Sequence, residues 1–266
     1  MKTKILYEDS NVLAIDKPSG ISVHGDGRTK EKTVADWILK NYPRMKNVGE
    51  NEVYENKKIK TEIKKPGIVH RLDRETSGVL LLAKNKKAYE FLKSQFQNRE
   101  IKKTYIAIVS GNVKTERGII NKPIGRSPKD FRRYLSGRGA RGEMRDAVTE
   151  YRVLKRFEAP YVQNFSRSSL PRVRGGIHAD KNFKHTVPFS YLEIRPKTGR
   201  THQIRVHMKF LNHPIAGDAL YNPGAKTPKG LKRMALHAKS IEFKNLKGEV
   251  VKVESKLPKE FGKVVV

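Results

Sequence analysis

Three separated stretches of the chain are dense in polar side chains that could do chemistry: residues 71–77, 102–105 and 195–207. Each holds a group of a different type, namely the carboxylate of Asp73, the phenol of Tyr105 and the guanidinium of Arg205. A guanidinium beside a carboxylate keeps it ionised and fixes its direction, as a nucleophile or a base requires. An aromatic ring offers a stacking face to a nucleobase. If the stretches converge, these three groups meet in one cleft.

Asp73 has the most informative sequence surroundings of the three groups. It lies between Arg71 and Arg74, shortly before the apolar run Val79–Ala83, which predicts a buried strand. Loops held by a rigid sheet often carry catalytic groups. Taken alone, however, this stretch is better explained as a salt-bridged turn, and Arg205 alone as a solvated helix charge. The combination of stretches favours chemistry.

Periodicity predicts the elements that would position these groups. Thr33 and Asp36 resemble a capping box, and Asn85 and Thr201 are expected to cap two further helices. The three helices are expected at 33–42, 85–98 and 201–211. Strands are expected at 5–7, 12–15, 79–83, 103–110, 148–157, 189–195, 235–243 and 249–254. Because strands outnumber helices and few βαβ units appear, we expect an α+β fold with a mixed, mainly antiparallel central sheet and flanking helices.

Three polar stretches lack periodicity. Residues 43–66 are expected to form a mobile loop. Residues 124–147 are expected to form a long basic loop or a hairpin and residues 158–188 a second long basic loop, both inserted into a single catalytic domain over 1–266. The second basic loop carries Arg167, Arg172 and Arg174. Cations on such a loop can follow a phosphate backbone, so these arginines are predicted to bind a nucleic acid without taking part in chemistry.

The charge balance points to a polyanionic partner. The chain has 57 Lys+Arg against 27 Asp+Glu, a formal charge of +30. Neutralising phosphates releases counterions, so nucleic acid is the expected partner, and a membrane surface is disfavoured because no basic amphipathic helix stands out. The chain has no cysteine, which excludes thiol nucleophiles and fits a cytoplasmic protein.

Three histidines in and shortly after the third stretch raise the possibility of a metal site, but their spacing argues against one. His202, His207 and His213 do not follow the four-residue step of a zinc-binding helix. Structural or phosphate-directed hydrogen bonds are the better explanation, and no metal or cofactor is expected.

Several motifs together carry a family resemblance. His70-Arg71-Leu72-Asp73 with Thr76-Ser77-Gly78 resembles the signature of the RluA-type pseudouridine synthases. The same family's other motifs are similar, in the same order, to residues 11–20, 103–105, 195–207, 213–218 and 236–238. Jointly these motifs are specific, and they extend over most of the chain.

The resemblance implies a pseudouridine synthase fold and isomerisation of a uridine within RNA to pseudouridine, without a cofactor. Asp73 would be the nucleophile, attacking the sugar or the base or promoting elimination to a glycal. Tyr105 would stack on the uracil, and Arg205 would pair with Asp73. Further residues would wall the pocket or contact RNA: Arg71 in the space left by the flipped base, Ile204, Leu236, Arg74, Lys197, Arg200 and His202. The reacting carbon is unreachable in a stacked helix, so base flipping is expected.

The expected substrate is a stem-loop of ribosomal or transfer RNA, where unstacking a base is cheap. Many relatives carry a small RNA-binding domain before the catalytic part, whereas the first strand is expected here at Ile5. Recognition would then fall to the catalytic domain of a monomer without an obligatory protein partner. The competing hypothesis is a non-catalytic RNA-binding or ribosome-associated protein, but such a protein has no need of Asp73, whose charge repels RNA.

Overall fold

A computed structural model describes residues 3–27, 31–55, 60–137, 139–163 and 186–265. The chain divides into two compact units: Met1–Tyr105 with His237–Lys256, and Ile106–Leu236 with Leu257–Val266. Both are rich in strands, and nearly all of the strand pairs within them are antiparallel. The predicted α+β class is therefore confirmed, whereas the single-domain assignment stays a prediction.

The elements within the described residues are fifteen strands and four α-helices. The strands are β1 Lys4–Glu8, β2 Val12–Lys17, β3 Glu52–Glu55, β4 Lys60–Ile63, β5 Ser77–Ala83, β6 Lys102–Ser110, β7 Arg117–Asn121, β8 Ile124–Arg126, β9 Tyr134–Ser136, β10 Arg141–Arg145, β11 Val148–Gln163, β12 Thr186–Pro196, β13 Lys226–Pro228, β14 Leu236–Lys244 and β15 Val250–Glu254. The helices are α1 Val34–Asn41, α2 Lys86–Gln97, α3 Gln203–Phe210 and α4 Lys259–Val265.

The first unit is built around β5, in which every residue is buried. β5 lies between β2, to which it runs antiparallel, and β14, to which it runs parallel. Gly78 has φ of 109°, and a Cβ there would meet the Ala238 carbonyl oxygen at 2.2 Å. Only glycine therefore lets β5 approach β14 this closely.

Local capping signals hold α1 and α2 in place. Asp36 accepts a hydrogen bond from the Thr33 amide at 2.8 Å, and the Thr33 hydroxyl accepts from the Asp36 amide at 3.3 Å. The Asn85 side chain accepts from the Ala88 amide at 2.9 Å. Both predicted caps are confirmed.

The prediction of a loop over 43–66 is wrong. A 3₁₀ helix forms at Pro43–Asn47, and β3 and β4 form an antiparallel hairpin. Both strands are largely exposed. Because neither buries an apolar face, the alternation that identifies a half-buried strand is missing from the sequence.

The second unit is built around β11, which pairs with β12, β7 and β13. Residues 124–147, predicted to form a long basic loop or a hairpin, contain a three-stranded antiparallel sheet in the order β10-β8-β9, so the hairpin alternative describes them better. The three strands have three to five residues each, too few to show a period.

The predicted loop at 158–188 begins too early and ends too late, because β11 continues to Gln163 and β12 starts at Thr186. Arg167, Arg172 and Arg174 lie outside the described residues. Within the described part of the chain, no helix is long and apolar enough to cross a membrane.

Candidate active site

Asp73 lies in a tight turn immediately before the buried strand β5. The amide of Thr76 donates to the Asp73 carbonyl at 3.1 Å and closes the turn. Asp73 is half-buried, whereas Arg71 and Arg74 are exposed. The turn therefore places the half-buried carboxylate of Asp73 just before a buried strand, between two exposed cations.

The buried ammonium of Lys17 supports this turn by a hydrogen bond to its backbone. Lys17 ends β2 and is fully buried, at 0% exposure. Its Nζ donates to three carbonyl oxygens, those of Pro18 at 2.9 Å, Ile21 at 2.7 Å and Arg74 at 3.0 Å. A buried charge is tolerated only when it is well hydrogen-bonded. The bond to Arg74 fixes the backbone on the C-terminal side of Asp73, and the other two hold the neighbouring segment 18–21.

Residues 18–20 make further contacts with the same turn. The Gly20 amide donates to the Arg74 carbonyl at 2.8 Å, and Arg74 Nε donates to the Gly20 carbonyl at 3.1 Å. The Ser19 hydroxyl donates to the Glu75 carbonyl at 2.7 Å. Arg74, predicted to bind RNA, thus already helps to lock the turn.

His70 anchors the N-terminal side of the Asp73 turn. Its Nε2 accepts the Leu81 amide of β5 at 2.9 Å, and its ring stacks on Phe96 of α2 with centroids 4.7 Å apart. Burial, and then the positive charge of Lys103, lower the pKa of His70 to about 3. The ring is therefore neutral near pH 7 and keeps its acceptor nitrogen.

Tyr105 of β6 is brought close to Asp73 within the first unit. Burial raises the pKa of Tyr105 well above its ordinary value, and the negative charge of Asp73 raises it further. The phenol thus keeps its proton near neutral pH and can donate a hydrogen bond. Two residues before it on the same strand, burial lowers the pKa of Lys103 to about 8.

The first two residues of β14 belong to different units, Leu236 to the second and His237 to the first. Leu236, predicted to wall the pocket, is 3% exposed, and its carbonyl accepts from Arg233 Nη2 at 3.1 Å. His237 Nδ1 lies 2.8 Å from the Ser77 hydroxyl. This contact ties β14 to the first residue of β5, four positions after Asp73.

Arg205 of α3 is held in the second unit by a carboxylate that sequence reasoning did not identify. Its Nε and Nη2 donate to Asp218 at 2.7 and 2.9 Å, and its guanidinium lies over the Tyr221 ring at 5.0 Å. Arg205 is 6% and Asp218 1% exposed. The available signal was that Arg205 lies beside Ile204 on a helix with an apolar face, since a buried arginine requires a carboxylate partner.

The start of α3 differs from the prediction. His202, with φ of 55°, is the N-cap and makes no side-chain capping bond, so the proposed Thr201 cap is wrong. Gln203 fixes this end instead. Its Oε1 accepts from Thr198 Oγ1 at 2.6 Å and its Nε2 donates to the Val148 carbonyl at 3.0 Å. The helix therefore starts where it is tied to β11.

The histidines of the third stretch make structural hydrogen bonds. His207 Nδ1 lies 2.8 Å from Thr149 Oγ1 and its Nε2 lies 3.0 Å from the Lys122 carbonyl. His202 Nδ1 lies 3.0 Å from the Tyr221 hydroxyl, which also accepts the Tyr134 amide at 2.9 Å. The described residues contain no cluster able to hold a metal ion.

The remaining predicted contact residues lie in the second unit. Ile204 is buried at 6% exposure. Lys197 is exposed and pairs with Glu150 at 2.9 Å, and Arg200 Nε donates to the Asp146 carbonyl at 3.0 Å. The predicted pairing of Arg205 with Asp73 joins residues of different units and stays a prediction.

Comparison with solved structures identifies the fold. The human protein RNA Pseudouridylate Synthase Domain Containing 1 is 23% identical and superposes with a TM-score of 0.65 over 97% of this chain and 84% of that one. Human RNA Pseudouridylate Synthase Domain Containing 4 gives a TM-score of 0.62 at 24% identity, over 97% of this chain and 90% of that one. The fold is that of the pseudouridylate synthases.

Sequence comparison identifies the family. The model of the RNA pseudouridylate synthase family matches residues 11–210. The chain is 33% identical to the ribosomal large subunit pseudouridine synthase D of Xanthomonas campestris, over 98% of this chain and 68% of that protein. For the protein of the same name in Borreliella burgdorferi the identity is 37%, over 97% and 66%. The chain belongs to the RNA pseudouridylate synthase family, a family of isomerases, and spans about two thirds of these relatives' length.

Proposed function

We propose that the protein converts a uridine within structured RNA to pseudouridine, with Asp73 as the nucleophile. The observation that carries the proposal is the placement of Asp73, on a turn clamped by Lys17 and close to the protonated phenol of Tyr105. A fixed carboxylate is a suitable covalent catalyst, and a neighbouring tyrosine that keeps its proton can stack on the base and donate to it.

The reaction breaks the bond between N1 of uracil and C1′ of ribose and forms a bond between C5 and C1′. C5 loses a proton and N1 gains one, so there is no net oxidation, reduction or hydrolysis. Asp73 can attack the sugar or the base and form a covalent bond to it, or it can promote elimination to a glycal. Each route needs the uridine out of the helical stack, so the proposal includes base flipping. No metal or cofactor is required by this balance.

Ribosomal RNA is the first substrate to test, and transfer RNA the second. The two bacterial relatives are named as ribosomal large subunit enzymes. Arg71 is exposed two residues before Asp73, where it can occupy the gap left by a flipped base. The pairing of Arg205 with Asp73 and the RNA contacts of Lys197, Arg200 and His202 are retained as parts of the proposal.

Pseudouridine mapping of ribosomal and transfer RNA, from cells with and without this protein, tests activity and identifies the site together. We expect at least one pseudouridine to disappear in its absence and to return with the wild-type chain but not with Asp73→Asn. Identical maps would contradict the proposal, and rescue by Asp73→Asn would show that another group is the nucleophile.

A further inference from the structure

The second unit contains an exposed groove on the face formed by β7, β11 and β12. It has a volume of about 370 Å³. Two rows of paired residues cross it, Arg117 with Arg152 and Glu193, and Ile119 with Glu150 and Arg195. Gly118 and Tyr151 also line it. Because side chains alternate between the two faces of a strand, the six residues in these rows point to the same face.

This face is opposite the one that carries α3. Thr149 is one position from Glu150 on β11, is fully buried, and bonds to Gln203 and His207 of α3. Glu150 therefore points away from α3. The groove is distinct from the surroundings of Arg205 in the same unit, and the proposed function gives a role only to Lys197 beside it and to none of the residues that line it.

The charges of the groove are mixed, with an excess of cations. Glu193 is shared by Arg152 at 3.4 Å and Arg195 at 2.9 Å. Lys197, next to the groove, pairs with Glu150 at 2.9 Å. With Arg117, four cations thus face two carboxylates. Such a surface attracts a polyanion while retaining acceptors for the N–H groups of a base.

An apolar residue lies among these charges. Ile119 is 68% exposed, and its neighbours across the sheet are Glu150 and, beyond it, Arg195. Guanidinium planes and an apolar side chain provide a platform for a nucleobase, and guanidinium groups pair well with phosphate. The volume lies at the lower end of the range for small-ligand sites, which suits one nucleotide.

We propose that this groove binds a single-stranded nucleotide of the substrate RNA, outside the uridine that reacts. Its base packs on Ile119, and its phosphate is neutralised at the Arg117–Arg152 end. The inference rests on the proposed function for the identity of the polyanion. It assigns to the second unit an RNA contact separate from the reacting uridine.

A unique cysteine provides the first test, because the natural chain has none. Ile119→Cys, labelled with a benzophenone maleimide, is irradiated with a mixed-sequence single-stranded RNA of about 12 nucleotides. Val250→Cys is the matched control, since Val250 is a strand residue with 64% exposure, against 68% for Ile119. We expect crosslinking at position 119 at least about fivefold above the control, competed by unlabelled RNA. Equal crosslinking at the two positions would overturn the proposal.

Affinity provides the second test. Arg117→Glu should weaken binding of the same RNA about fivefold and reduce the slope of log affinity against log salt by about 0.7, the value for one single-strand contact. Arg44→Glu makes the same charge change at an exposed position of the first unit and should have a much smaller effect. Equal losses in both variants would indicate a general charge effect, and a groove that binds polyglutamate but not RNA would also contradict the proposal.

The groove assignment and the proposed function can fail independently, and the experiments distinguish the two cases. Pseudouridine formation by the wild-type chain is measured in parallel on ribosomal RNA. If the wild-type chain isomerises uridine while Arg117→Glu binds RNA as well as Arg44→Glu does, only the groove assignment fails. If no pseudouridine forms but RNA still crosslinks selectively at position 119, the groove binds RNA and the proposed function fails.

Discussion

The two units hold their candidate site residues in different ways. In the first unit, Asp73 is half-buried, and most of the described contacts on its turn are made to the backbone by Lys17, Ser19 and Gly20. In the second unit, Arg205 is buried and is gripped through its own side chain by Asp218 and Tyr221. The contacts that Lys17, Ser19 and Gly20 make to the backbone of the turn do not depend on which side chain stands at position 73, whereas the ion pair with Asp218 depends on the Arg205 side chain itself.

Asp73→Asn gives the largest expected effect on activity. The amide keeps the shape of the carboxylate but cannot act as the nucleophile, so turnover should fall at least about a hundredfold. Because the contacts of Lys17 and Ser19 are made to backbone carbonyls, the melting temperature and RNA affinity should remain nearly unchanged. Single-turnover isomerisation and thermal unfolding measure both. Retention of more than about a hundredth of the wild-type rate would remove Asp73 from the chemistry.

In contrast to Asp73→Asn, Asp218→Asn should cause the largest loss of stability. It breaks the buried ion pair that the Arg205 guanidinium makes with Asp218, and breaking such a pair typically costs about 3–5 kcal/mol of unfolding free energy. Denaturant unfolding measures this cost. The double variant Arg205→Met with Asp218→Leu removes both charges and should recover much of the stability without recovering activity. If the double variant regains full turnover, Arg205 has no part in the reaction.

Lys17→Met tests whether backbone support matters for the rate. Removing the three hydrogen bonds that the buried ammonium donates should cost about 2 kcal/mol or more of stability. It should also lower kcat about tenfold with little change in KM, because the Asp73 turn loses its fixed geometry.

Lys84→Met is the matched control for Lys17→Met. Lys84 follows β5 at its far end and donates to the Asp9 carbonyl at 2.6 Å and to Glu8 at 2.8 Å. This variant should lose stability but retain kcat. Equal kcat losses in the two variants would mean that Lys17 acts only through global stability.

The contrast between the two units also explains what the sequence could predict. Caps formed within three residues, such as Thr33 with Asp36 and Asn85 with Ala88, were predicted correctly because both partners lie within one helical turn of each other in the sequence. The buried run of β5 was also recognisable, since it is continuous. The Thr201 cap failed because the start of α3 is decided by Gln203 and Val148, 55 residues apart. Asp218 was missed for the related reason that side-chain geometry, and not spacing, selects it as the partner of Arg205.

The smallest expected effect concerns pH and Lys103, two positions from Tyr105 on β6. Side chains two apart on a strand share a face, so Lys103 is expected to meet RNA if Tyr105 meets the base. Burial lowers the pKa of Lys103 to about 8, and deprotonation removes a positive charge. RNA affinity should therefore fall about threefold as the pH rises from about 7 to about 8.5. His70 does not titrate there, since its pKa is about 3.

Lys103→Arg supplies the comparison, because arginine stays charged throughout this range. Its affinity should be constant with pH, and the curves of the two proteins should meet at the acidic end, where both side chains are charged. Fluorescence anisotropy with a labelled stem-loop at constant ionic strength is sufficient to measure the difference. If both proteins lose affinity in parallel, the titrating group lies elsewhere and Lys103 does not face the RNA. If neither loses affinity, the charge of Lys103 contributes nothing to binding, and its place beside Tyr105 serves only the packing of β6.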